Sequence, residues 1–126
     1  MREIHFRAWD VFNGIYYHSK ESNLYRFFKC VEEAISGGNT VVVEQYTGLK
    51  DCKGKDIYEG DILDWKHFYV YGDTDGIKKV DVVVFRAGAF VCKRYGKLAR
   101  DFGYQQPCEI IGNIHENPEL LEAKES

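Results

Sequence analysis

The stretch TVVVEQYTGLKDCKGKDIYEGD, residues 40–61, decides the fold. Thr40 to Tyr46 is rich in β-branched residues, with Val41, Val42 and Val43 consecutive, and predicts a strand buried on much of both faces. Glycines then punctuate the chain. Asp51 to Gly54 has the residues of a tight turn and Glu59-Gly60 those of a second, after which Asp61 to about His67 reads as the next strand. Downstream, Gly72 to Gly76 marks a loop, and Val80, Val82 and Val84 line one face of a strand that turns through Arg86-Ala87-Gly88 into Ala89 to Lys93. Glu109 to His115 predicts a further strand. Asn117-Pro118-Glu119 offers a capping side chain, a proline suited to a first helical position and a carboxylate at the positive helix end, so a short C-terminal helix follows.

Upstream, Ile4, Phe6 and Ala8 share one side of a period-two pattern, and Asn13-Gly14 suits a tight hairpin turn before Ile15 to His18. From Leu24 to Ser36 the apolar residues Leu24, Phe27, Phe28, Val31, Ala34 and Ile35 make the stripe of an amphipathic helix, with Asn23 to cap its start and Gly37-Gly38 to end it. The expectation is an α+β fold, mainly β: a small curved antiparallel sheet or β-barrel of about six or seven strands, with an N-terminal hairpin, one amphipathic helix and a short C-terminal helix. One domain over residues 1–126 is expected, with 1–38 the hairpin and helix and 39–126 the barrel-like part.

A chain of 126 residues buries about two thirds of the surface its unfolded form exposes, and one core is expected. Hydrophobic residues make up 44% and charged residues 29%, the balance of a folded globular chain. No apolar run exceeds four residues, against the roughly 20 of a membrane-spanning helix, and the start MREIHFRAWD lacks a secretory h-region, so a cytoplasmic protein is expected. Cys30, Cys52, Cys92 and Cys108 are scattered without a CxxC pair and read as free thiols.

No spacing of chemistry-bearing residues identifies a reaction. Gly48 to Asp56 superficially suggests a phosphate loop, but five residues separate Gly48 from Gly54 and Asp56 stands where a Mg²⁺-binding hydroxyl is required. Asp73, Asp75 and Gly76 begin like a calcium loop, yet Val82 falls where the bidentate Glu belongs. His5, His18, His67 and His115 have no metal-ligand spacing. No catalytic residue, metal or cofactor is therefore expected, and the chain reads as a non-enzyme.

The formal net charge of −3 gives no global reason to bind nucleic acid. Locally, Lys78, Lys79, Arg86, Lys93, Arg94, Lys97 and Arg100 face one acidic residue, Asp81, and are interleaved with Phe85, Phe90 and Tyr95. That pattern can contact phosphates and stack bases, or form an ordinary solvated strand edge.

Four segments together resemble the YopX family of phage and prophage proteins. They are Ile4 to Asp10; Gln45 to Asp51 with Gly54-Lys55 and Ile57 to Ile62; Val84-Phe85 with Gly88 to Phe90; and Ile111 to Ile114 with Glu116 to Leu121. The resemblance implies a small phage-encoded protein of helix-plus-barrel fold, able to oligomerise, and brings no established activity or catalytic residue. Relatives carry Asn or a similar polar residue in the central turn, where this chain has Cys52-Lys53.

The leading expectation is a non-enzymatic interaction or oligomeric accessory protein, partnering itself and an unknown phage or host protein but no membrane. Its first candidate surface is Asp51, Lys53, Lys55, Asp56, Tyr58, Glu59 and Asp61. The alternative is a nucleic-acid-binding accessory protein using Lys78, Lys79, Arg86, Lys93, Arg94 and Lys97.

Overall fold

A computed structural model of the chain describes residues 4–20, 24–65, 80–93 and 106–122, which divide after Tyr46 into two units.

In the first unit, β1 (Phe6–Asp10) lies between β2 (Ile15–His18) and β3 (Val41–Lys50), antiparallel to both. The sequence suggests a tight turn at Asn13-Gly14; the structure instead has a four-residue turn, Val11 to Gly14, because Asp10 organises it. The buried Asp10 carboxylate accepts hydrogen bonds from the Phe12 and Asn13 backbone N–H groups at 3.0 and 3.1 Å and from the Asn13 and Asn39 side-chain amides at 2.9 and 3.1 Å. Gly14, at φ +68°, completes the turn.

Burial pushes the Asp10 carboxyl up, but the donors of Asn13, Asn39 and Phe12 outweigh it and leave the group below its ordinary value. A depressed folded pKa contributes stability above the unfolded value of about 4 that is lost as pH falls through the folded one. Urea titrations at descending pH are therefore expected to show an acid-labile component that Asp10→Asn lacks, the variant being the less stable protein at neutral pH.

Helix α1 (Leu24–Ser36) occupies the span its periodicity predicts. It ends in a Schellman motif: Gly38 at φ +93° donates to Ile35 O at 2.9 Å, and Asn39 donates to Ala34 O at 2.9 Å. The proposed cap, Asn23, lies outside the described residues. The helix buries only Phe27 and Ala34, while Leu24, Phe28 and Ile35 of the same stripe stand exposed. Strand β3 differs from expectation in the same way, since Val42 and Val43 are exposed rather than buried.

The strand also runs on to Lys50 and passes from its partner β1 to β4 (Asp56–Tyr58). Gly48, at φ +92°, makes the local departure from extended backbone. There the Thr47 hydroxyl donates to Ile57 O at 2.8 Å and accepts from Leu49 N–H at 3.1 Å.

The second unit adds a four-stranded antiparallel sheet ordered β7 (Ala89–Cys92), β6 (Val80–Arg86), β5 (Asp61–Asp64), β8 (Glu109–Asn113). Ala87 and Gly88 both have positive φ, as a two-residue hairpin between Arg86 and Ala89 requires. Two apolar clusters form here. Ile57, Leu63, Trp65, Val83, Cys92 and Cys108 make one, and Ile62, Val80 and Val82 make the other, covered by Leu120 and Leu121 of a short 3₁₀ helix, Pro118–Glu122. The valine alternation read from the sequence is thus a buried face. Eight strands, one α-helix and the 3₁₀ helix among the described residues make the fold mainly β, as the sequence predicts.

Candidate interaction surfaces

The turn segment from Asp51 to Asp61 is built around two buried carboxylates. Asp51 Oδ1 accepts from the Lys53 and Lys55 N–H groups, both at 2.9 Å, and its Oδ2 accepts from Ile110 N–H at 3.0 Å, 59 residues along the chain. Beside it Cys52 N–H donates to Cys108 O at 2.8 Å and Gln106 N–H to Lys50 O at 2.7 Å. Asp61 Oδ2 accepts from Tyr58 N–H at 2.8 Å, while Gly60 donates to Val83 O and accepts from Ile114 N–H. Of the seven residues nominated from sequence, Asp51, Tyr58 and Asp61 are therefore turned inward. Asp56 pairs with Lys50 and is half-buried, as is Glu59. What the segment presents to solvent is chiefly Lys53, 3.7 Å from Glu109, and Lys55.

Of the basic residues nominated for nucleic acid, Arg86 and Lys93 are described, and both are exposed on the β6–β7 hairpin. Arg86 Nη2 donates to Lys93 O at 3.4 Å. Phe85 is exposed next to them, its ring 5.0 Å from Phe90 across the hairpin. Lys78, Lys79, Arg94 and Lys97 lie outside the described residues.

The sequence reading did not single out the first unit, where the structure assembles two features. On one face of its sheet Arg7 Nε donates to Glu44 Oε1 at 2.8 Å, with both side chains buried. The Arg7 guanidinium lies 4.4 Å from the centre of the Tyr16 ring, whose hydroxyl donates to the same carboxylate oxygen at 3.1 Å. Arg7 and Glu44 are register partners, so strand alternation was the one signal for this cluster. The second feature is apolar. Of the twelve strongly exposed large apolar side chains among the described residues, ten lie before Thr47, among them Val11 and Phe12 at the hairpin tip and Leu24, Tyr25, Phe28 and Ile35 on α1.

The thiols divide by burial, and none is in a disulfide. Burial, and secondarily the Asp81 charge, push Cys92 up to about 12. Burial, and then the nearby Cys92, raise Cys108 as well. A thiol held protonated is a poor nucleophile and a poor metal ligand. With a disulfide reagent at neutral pH, Cys52, which is exposed, is expected to react first, and Cys92 and Cys108 only as the second unit unfolds, which thiol counting along a urea series checks. Among the described residues no group of His, Cys, Asp and Glu has the arrangement to hold a metal ion, and no helix is long and apolar enough to cross a membrane.

A crystal structure of protein EF1440 from Enterococcus faecalis is similar to this chain, with a TM-score of 0.62 and 22% identity over 96% of this chain and 99% of that one. At that identity the likeness carries the fold. Among curated proteins none matches. The profile described as YopX protein matches residues 5–122, taking in the Asp51 and Asp61 turns and the segment that ends in the 3₁₀ helix, and the chain belongs to the YopX family.

Proposed function

We propose that the protein is a non-enzymatic interaction module, an accessory protein of a phage or prophage acting in the host cytoplasm, and that it binds a protein partner through the apolar surface of its first unit. The concentration of exposed apolar side chains there carries the reading. Patches of this kind on a soluble fold mark interaction sites, and each side chain now about half exposed returns roughly 1 kcal/mol when covered. The inward carboxylates of the Asp51 to Asp61 segment support a structural role for that segment, leaving Lys53 and Lys55 as its contribution to binding.

The test is affinity capture with the tagged full chain from host cells, after nuclease and at moderate salt, beside a variant carrying Phe12→Ser, Phe28→Ser and Ile35→Ser. The proposal expects a defined protein held by the wild type and lost by the variant, whose circular dichroism stays that of the parent. Capture indifferent to the three substitutions overturns it. The second reading, nucleic-acid binding, is supported by exposed Phe85 beside Arg86 and Lys93. It expects nucleic acid to co-purify before nuclease and to be released by salt.

A further inference from the structure

The hairpin tip from Val11 to Gly14 is exposed throughout and carries the one asparagine of the chain that is followed by glycine, Asn13. That order has a chemistry of its own. The backbone nitrogen that follows an asparagine can attack the side-chain carbonyl carbon, and glycine alone leaves the approach clear of a side chain. Asn23, Asn39, Asn113 and Asn117 are followed by Leu, Thr, Ile and Pro, the last with no N–H to release. In an open chain Asn13 is therefore the first asparagine to react.

The fold works against that reaction. Attack requires the Gly14 N–H to be freed and Asn13 Cγ to swing toward the Gly14 nitrogen, and Asp10 ties both. Its carbonyl oxygen accepts from Gly14 N–H at 2.8 Å, its Oδ2 from Asn13 Nδ2 at 2.9 Å and its Oδ1 from Asn13 N–H at 3.1 Å. Asp10 is itself anchored beyond the turn, since Asn39 Nδ2 donates to it at 3.1 Å. Its carboxyl lies below the ordinary value, so a negative charge stands beside the nitrogen that has to lose its proton.

We propose that Asn13 is a site of spontaneous deamidation whose rate is set by the Asp10 clamp, and that conversion unlocks the hairpin tip. In the reaction the Gly14 nitrogen gives up its proton and bonds to Asn13 Cγ, and the side-chain nitrogen leaves as ammonia. Water then opens the five-membered imide at either carbonyl. Position 13 is left with an aspartate or an isoaspartate, which cannot donate as Asn13 Nδ2 did. A carboxylate faces Asp10 Oδ2 in place of the amide that lay 2.9 Å away, and like charges so close repel. The change runs one way, consumes only water and falls beside Val11 and Phe12. Its consequence for partner binding rests on the interaction surface proposed above, whereas the chemistry does not.

Peptide mass spectrometry of the full chain, held at mildly alkaline pH and sampled over days, tests it. Unfolded in urea, the wild type is expected to show the amide-to-acid mass step at Asn13 before any other asparagine. Folded, it is expected to do so about a hundredfold more slowly, because three hydrogen bonds to one residue must open first. Asp10→Asn, with folding followed by circular dichroism, is expected to raise the folded rate about tenfold. Phe27→Leu, which weakens the packing of the first unit and leaves the clamp intact, is expected to leave that rate unchanged. Where Asp10→Asn loses the circular dichroism of the parent, Asn39→Ala takes its place, with a rise of about threefold expected. Asn13→Asp, the product made directly, is expected to speed hydrogen exchange at the Phe12 and Gly14 amides about tenfold. Equal rates in the folded and unfolded wild type, or an acceleration by Phe27→Leu that matches the clamp variant, overturns the gate. Unchanged exchange in Asn13→Asp overturns the unlocking. None of these measurements uses a partner, so their failure is distinct from that of the capture experiment.

Discussion

Replacing Asp51 by alanine is expected to destabilise the second unit by about 3 kcal/mol, because a single truncation unties three backbone donors at once. The side chain has no exposed surface, and its two oxygens accept all three N–H groups. Hydrogen bonds to a charged acceptor are worth about 1.5–3 kcal/mol each, but the donors of Lys53 and Lys55 lie in an exposed turn where water replaces part of the loss. The Ile110 N–H sits farther from solvent and loses its acceptor outright. Asp51→Asn separates the two contributions. An amide retains one oxygen, so it can serve the turn or Ile110 while its NH₂ confronts the remaining donor, and about half of the alanine effect is expected. Urea unfolding followed by tryptophan fluorescence, with buried Trp65 reporting on this unit, measures both. Lys53→Ala and Lys55→Ala serve as controls, since a surface substitution leaves stability within about 0.5 kcal/mol.

Gly112→Ala is expected to cost about 2 kcal/mol, although Gly112, which lies beside the register shift between β5 and β8, has no positive φ. A Cβ built there meets Asn117 Oδ1 at 2.5 Å, Cγ at 2.8 Å and Cβ at 2.9 Å. The obstacle includes the root of the asparagine side chain, so a rotamer change alone does not clear it. Asn117 is also tied in place. Its N–H donates to Asn113 O at 2.9 Å, while the Asn113 side chain accepts from His115 and Glu116 N–H, both at 3.0 Å, and donates to Glu116 Oε1 at 2.8 Å. This network turns the chain from β8 into the 3₁₀ helix whose Leu120 and Leu121 cover Ile62, Val80 and Val82. A double-mutant cycle identifies the cause. Asn117→Gly removes the clashing atoms, and the stability of Gly112→Ala with Asn117→Gly is expected to match that of Asn117→Gly alone, a coupling of about 2 kcal/mol. Additive losses would show that Gly112 matters for some reason other than the asparagine.

Local chemistry was legible in the sequence wherever it was sufficient. The limits of α1, its glycine stop, the Ala87-Gly88 hairpin and the face formed by Val80, Val82 and Val84 follow from residues within one turn or one strand of each other. The extents of burial were not, because periodicity shows which residues share a side and not how much of that side a neighbour covers. Leu24, Phe28 and Ile35 read as core for this reason, and so did Val42 and Val43. Asp51 was nominated as a polar member of an accessible loop, since its link to Ile110 leaves no trace in the residues between them. Pro118 marked the correct start of the final helix, but a five-residue segment closes as a 3₁₀ turn rather than an α-helix. Arg86 ends β6, an inner strand of its sheet, and Lys93 follows β7, both exposed on the hairpin.

The bond from Asp51 to Ile110 also bears on the order of events during folding. Closing a loop of 59 residues costs chain entropy before any of the interaction is recovered, whereas the Asp51 to Gly54 turn and the hairpin at Ala87-Gly88 close locally. The carboxylate is therefore expected to reach β8 after the rate-limiting barrier, once β5 has gathered its neighbours. In rapid-mixing experiments Asp51→Ala should leave the refolding arm of the chevron almost superimposed on that of the wild type and raise the unfolding arm, a φ-value near zero. That outcome would make Asp51 a latch on the finished unit, setting how long the second unit stays folded rather than how fast it forms.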